Sequence, residues 1–167
     1  YQFVVANNDY IDPKIRFPKK VRKPCLLTNY FQVGAKGDLP FMMSSFCIDR
    51  EAFLRLGGFP EGEAMGEDQD LFARAALNGK IAYSPSVLSF YHLDSSNRAC
   101  INLVPEYECE FSQRVLTWSN DYVEDAVLHN AMIDYTAAHL LHLVRLNTRM
   151  GRLQVADTIL QDPRCKR

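Results

Sequence analysis

Residues 65–71, Met-Gly-Glu-Asp-Gln-Asp-Leu, constrain this chain more than any other stretch. Glu61, Glu63, Glu67, Asp68 and Asp70 are five carboxylates within ten residues, with no lysine or arginine among them. Leu71, Phe72, Ala75 and Ala76 then take up an apolar spacing of helical period, which predicts a helix over 67–78 closed at Gly79 by a left-handed cap. Acids at a helix start oppose the macrodipole, each contributing about 0.3–1 kcal/mol, and that alone accounts for a cluster of this kind. The other reading is chemical: one of these acids is a general base.

Composition narrows the classes open to the chain. With 167 residues, 47% of them hydrophobic, it can bury a real core and is not disordered in composition. A net charge of −1 sets up no global field for nucleic acid or membrane, so partners have to be argued locally. Five cysteines, odd in number, widely spaced and never Cys-x-x-Cys, argue against a disulfide framework and a zinc site and fit a reducing cytosol. No apolar run approaches the roughly 20 residues that span a bilayer, so a soluble chain without a transmembrane segment is expected.

The flanks of the acid cluster carry a further signal. Ahead of it stands Ile48-Asp49-Arg50-Glu51-Ala52-Phe53-Leu54-Arg55-Leu56-Gly57-Gly58-Phe59-Pro60-Glu61, and after it come Arg74, Gly79, Tyr83, Pro85 and Tyr91-His92. This order resembles the C-terminal half of a family 2 glycosyltransferase of the GT-A fold. There an arginine opens a short helix ending in Gly-Gly-Phe-Asp-Glu, a Glu-Asp pair and Asp-Leu follow, and a histidine closes the pattern. The resemblance covers about a third of the chain, residues 39–92. It departs at Pro60, where the family usually has Asp in a turn.

The resemblance implies an α/β fold: the C-terminal part of a GT-A (nucleotide-diphospho-sugar transferase) domain over 1–104, then a helical extension over 105–167. It implies an inverting transferase that moves a sugar from a nucleotide-diphosphate donor to a carbohydrate or lipid-linked acceptor, with no nucleic acid involved. Asp68 would be the general base and Glu67 would orient or bind the acceptor. Ser44 and Ser45 would lie beside the donor sugar, although a satisfied core hydroxyl fits them as well. Asp70 and Arg74 would join the substrate-binding set, although Asp70 reads equally as a helix cap. His92 would be one ligand of a divalent cation, Mn or Mg, held mainly by a missing N-terminal half. The family's Asp-x-Asp metal motif has no match here; the nearest candidate is Asn7-Asn8-Asp9. The expectation is therefore an excised portion of a larger cytoplasmic enzyme, with the inner membrane surface as an alternative location, and a piece inactive by itself.

Along the chain, residues 3–5 read as a strand, 14–23 as a basic loop and 25–34 as a short apolar element. The basic loop is either a solvated linker or a mobile flap near an anionic donor. Residues 34–38 read as a glycine turn and 40–48 as a buried strand. Asp49 is the expected N-cap of a helix over 50–56, with Gly57 as its left-handed C-terminal cap. Short strands are expected over 80–84 and 87–92, then helices from Pro105 to about Trp118, from Asn120 to about Arg149 and from Leu153 to Leu160. His139 and His142 stand at i, i+3 without acid or thiol company, so a metal site there is disfavoured. Gln113-Arg114 with Trp118 fails the Gln-x-x-Arg-Trp spacing of processive synthases, which favours single addition.

An inverting base accepts the acceptor proton as the hydroxyl attacks opposite the leaving diphosphate. A helix N-terminus lowers a carboxylate's pKa slightly, so Asp68 is expected to be ionised and weakly basic, and Asp70→Asn to cost far less than Asp68→Asn. Two rival classes stay open: a noncatalytic acceptor-recognition or assembly module of the same fold, and a carboxylate-based glycoside hydrolase. Loss of the nucleotide-binding half would bare strand edges around 3–5 and 41–48, hence an expected homo-oligomer.

Overall fold

A computed structural model describes residues 1–5, 9–96 and 102–166. Asn7, Asn8, Asn97 and Cys100 lie outside the described residues, and the Asn7-Asn8-Asp9 candidate with them. The chain is mixed α/β with small sheets. In order it forms β1 (Gln2–Val4), β2 (Tyr10–Ile11), β3 (Cys25–Leu27), α1 (Tyr30–Lys36), α2 (Arg50–Arg55), α3 (Glu67–Asn78), β4 (Ile81–Tyr83) and β5 (Phe90–His92). It continues with α4 (Glu110–Ser119), α5 (Ala126–Arg149) and α6 (Leu153–Leu160).

β1 is the middle strand of its sheet, antiparallel to β2 (Phe3 opposite Ile11) and parallel to β5 (Phe3 opposite Tyr91). The edges left open are thus β2 and β5, and the expected bare edge at 3–5 is corrected. β3 and β4 form a separate antiparallel pair, Leu26 opposite Ala82. No helix of the described residues is long and apolar enough to cross a membrane.

Helix α5, 24 residues and so about 36 Å long, is the beam on which α1, α4 and α6 pack. One buried cluster joins Phe31 and Val33 of α1, Phe72 of α3, Phe111 and Val115 of α4, and Met132 and Tyr135 of α5. It draws on both sides of the 104/105 boundary.

Two segments differ from their sequence pattern. Residues 40–48 form a loop around the 3-10 turn Met43–Ser45, because Phe41 and Phe46 both close on Phe72 with ring centroids 4.8 Å away. An apolar run satisfied by one aromatic partner has no need of a strand neighbour. Residues 34–36 end α1 instead of starting a turn: a Cβ on Gly34 would come within 2.7 Å of the Tyr135 ring, so glycine is needed for helix contact. Asp49 caps α2 through Ala52 N–H (2.9 Å), and Gly57 takes φ 87° as expected. Gly79 does not: its φ is −147°, extended backbone. α4 starts at Glu110, five residues beyond Pro105, and α5 at Ala126, whose N-cap Asp125 accepts from Leu128 N–H.

His139 shows what the packing of α5 on α4 requires of a titratable group. Its Nε2 accepts from the Cys109 N–H (3.3 Å), which places the proton on Nδ1, and its ring meets Phe111 edge-on at 4.7 Å. Burial, with help from His142 and Arg164 and against the pull of Glu108, lowers its pKa to about 4. These contacts disfavour the histidine pair as a metal site. Since the unfolded histidine binds a proton near pH 6.5 and the folded one does not, stability is fully present above 6.5 and falls as pH drops toward 4. By pH 5 the loss is about 2 kcal/mol. Chemical denaturation at pH 7 and pH 5 should show it, and His139→Gln, which keeps an acceptor but cannot charge, should remove most of the difference.

Candidate functional site

Helix α3 begins where Gly66 allows it to begin. Gly66 sits at φ 92°, a left-handed conformation, and a Cβ there would lie 2.3 Å from the Phe111 ring, so the turn that aims Glu67 and Asp68 is fixed by the absence of a side chain. Both acids fall in the first turn, as the sequence suggested. They line a cleft of about 1400 Å³, walled by the α1 end, the 42–44 loop and the face of α5 that carries Asp134, Tyr135 and His142.

Asp68 departs from expectation in its electrostatics. Its Oδ1 accepts from Gln69 N–H (2.7 Å), and that bond, with its own N–H, lowers its pKa; burial outweighs both and, helped by the neighbouring Glu67, raises it above the ordinary carboxylate value. The expected slight depression is corrected: the helix N-terminus acts on a half-buried carboxylate, and desolvation is the larger effect.

A hydrogen-bonded chain ties this turn to the core. Tyr135 Oη donates to Gln69 Oε1 (3.0 Å), so the hydroxyl contact between Tyr30 and Tyr135 (3.1 Å) has Tyr30 as donor. Burial raises both phenols, with the Asp68 charge adding to the effect, so both stay protonated. Tyr135→Phe strands a buried Tyr30 hydroxyl and leaves Gln69 without its donor. It should lower unfolding free energy by about 1–3 kcal/mol in urea titration, with Tyr30→Phe,Tyr135→Phe recovering part of the loss.

Asp70 and Arg74 are not free for a substrate. Asp70 is 2% exposed; its Oδ2 accepts from Arg74 Nε (2.6 Å) and its Oδ1 from Arg114 Nε (2.6 Å). Arg114 grips both oxygens of Glu63 (2.7 and 2.9 Å), which raises its pKa further, and Arg74 donates to the carbonyls of Leu56 and Gly58. This network holds the Gly57-Gly58 turn, the acidic loop and α4 onto α3. The substrate-binding and helix-cap readings of Asp70, and the substrate-binding reading of Arg74, are therefore corrected to a structural role. Arg114, which sequence reasoning weighed only for a failed motif, belongs with them; nothing local signals a partner 44 residues away.

The remaining candidates separate. Ser44 lines the cleft. Ser45 is spent on its own turn, accepting from Met42 N–H (2.9 Å) and donating to Met42 O (3.0 Å), and does not line the cleft. His92 stands away from it as well: Tyr91 and Leu93 line the cleft, while the alternate residue His92 is exposed, its Nδ1 3.4 Å from Asp94. His92 therefore does not share the cleft that Asp68 lines. Among the described residues no three His, Cys, Asp or Glu groups stand together as a metal set, and no step is routed through a divalent ion.

The chain was compared with family models, with curated proteins and with solved structures. None matches. The functional reading therefore rests on the cleft and on the order of residues around it.

Proposed function

We propose that this chain is the acceptor-side portion of an inverting glycosyltransferase of the GT-A type, with Asp68 as the base that takes the acceptor hydroxyl's proton. The observation that carries the reading is the division of labour within the acid cluster. Asp70 and Glu63 are locked by two arginines, while Asp68 faces a cleft with a pKa raised by burial. A base works best when its pKa lies nearer the operating pH, and burial moves Asp68 that way. Glu67, beside it on the same turn, orients the acceptor and keeps the local field negative, which favours protonation of Asp68 as the glycosidic bond to diphosphate breaks.

In this reading the donor nucleotide and any divalent ion belong to a nucleotide-binding half, and this chain supplies base and acceptor wall. The experiment is acceptor-dependent release of nucleoside diphosphate by the polypeptide that joins both halves, with Asp68→Asn beside the parent. One observation favours the noncatalytic module instead: His92, the closing residue of the resembled pattern, does not share the cleft. A module of that kind would bind acceptor and release no diphosphate in the same assay.

A further inference from the structure

The cleft is electrically two-ended. At one end stand Glu67 and Asp68 on α3 and, on the facing α5, Asp134 next to Tyr135, the residue hydrogen-bonded to Gln69. At the other stand Lys14, Arg16, Lys36 and Arg145, all exposed and all lining the cleft. Their proximity follows from the backbone: Gly37, next to Lys36, lies against Lys14 O and the Arg16 side chain, and His142 feels both Asp38 and Arg145. None of the four cations is in an ion pair among the described residues. Asp38 is the acid beside them, and its carboxylate accepts the Lys14 backbone N–H (2.6 Å).

From Asp134 to Arg145 is eleven residues of continuous helix, about 16 Å of rise. That spacing bears on what the cations are for. A base reaches a hydroxyl across about 3 Å and the hydroxyl attacks across about another 3 Å, so the departing diphosphate begins within roughly 8 Å of Asp68. Arg145, about 16 Å of helix rise from Asp134, stands about twice that far along the cleft wall.

We propose that the basic end is an anion subsite for the acceptor, which would carry its reactive hydroxyl at the Asp68 end and a negatively charged group the length of a short oligosaccharide away. The proposal rests on the transferase reading for the meaning of the Asp68 end, and not for the subsite itself. The anion is either an acidic group on the sugar chain or the diphosphate of a lipid carrier. Lys14, Arg16, Lys36 and Arg145 line it from a loop, the end of α1 and α5, so the subsite forms only when these are packed together, and Glu67 and Asp68 repel the anion from the opposite end and fix the direction of binding.

The test is a titration of the ¹⁵N-labelled chain followed by amide shifts, with three probes: trigalacturonate, farnesyl diphosphate and neutral maltotriose. An anionic probe should shift amides at 14–16, 36–38 and 142–145 more tightly than maltotriose does, and the stronger of the two identifies the source of the anion. Arg16→Glu,Arg145→Glu should weaken that binding about tenfold or more, since hydrogen bonds to charged groups are the strong ones; Lys36→Gln,Arg145→Gln should weaken it in the same direction. Equal binding by these variants, or shifts spread over the surface, overturns the subsite. Glu61→Gln, at an exposed acid that does not line the cleft, should leave the titration unchanged; failure of the base assignment shows in the turnover of Asp68→Asn, and failure of the subsite shows here.

Discussion

Asp70→Asn should destabilise this chain by about 3–5 kcal/mol, the range for removing one partner of a buried charge pair. Asp70 is the shared acceptor of two guanidinium groups, Arg74 within its own helix and Arg114 from α4. Asparagine offers one acceptor where the aspartate offers two, and turns an amide N–H₂ toward a guanidinium edge. Arg74 then loses the anchor from which it holds the Leu56 and Gly58 carbonyls, and Arg114 keeps Glu63 and the exposed Glu110. Urea denaturation at pH 7 measures the cost. Glu61→Gln, on an exposed acid of the same cluster, should stay within about 0.5 kcal/mol. The expectation from sequence that Asp70→Asn would be a mild control is thereby reversed: a turnover assay on that variant reports on folding, and Glu61→Gln is the proper control.

How much of this was legible beforehand depends on whether a feature is local. Helix α3 runs over Glu67–Asn78 and α6 over Leu153–Leu160 as the spacing predicted, and the Asp49 cap and the Gly57 turn follow from neighbouring residues alone. Features set by distant partners were not legible. The aromatic closure of Phe41 and Phe46 on Phe72 turned an apparent strand into a loop, and the Tyr135 ring turned an apparent glycine turn into helix. The five acids looked alike in sequence because Arg114, the partner of Glu63 and Asp70, is far along the chain; its placement, with Arg74 beside Asp70, separates these structural acids from Glu67 and Asp68. The direction of the Asp68 pKa was missed for the same reason: a helix start is visible in sequence, and burial by α1 and α5 is not.

Asp68→Asn should do the reverse of Asp70→Asn, and this pair of opposite effects follows from the account as a whole. Burial raises the folded pKa of Asp68, so the folded state keeps its proton longer than the unfolded state does. The wild-type chain therefore loses stability as pH rises from the ordinary aspartate value through the raised one. Asparagine carries no charge to desolvate and still accepts from Gln69 N–H. The variant should be more stable than wild type at pH 7, and the advantage should vanish below about pH 3.8. An acid present only to complement the helix dipole predicts the other sign, a loss of about 0.3–1 kcal/mol at pH 7. Catalytic groups are commonly held at such a cost to stability.

The central proposal is that Asp68 takes the acceptor's proton, and the direct measurement is acceptor-dependent release of nucleoside diphosphate by a polypeptide that joins this chain to the proposed nucleotide-binding half, wild type against Asp68→Asn, with thermal melting on the same samples. The account predicts turnover lower by about 10²–10⁴, donor affinity little changed and a melting temperature at pH 7 no lower than wild type. Near-normal turnover in a folded Asp68→Asn protein would contradict it.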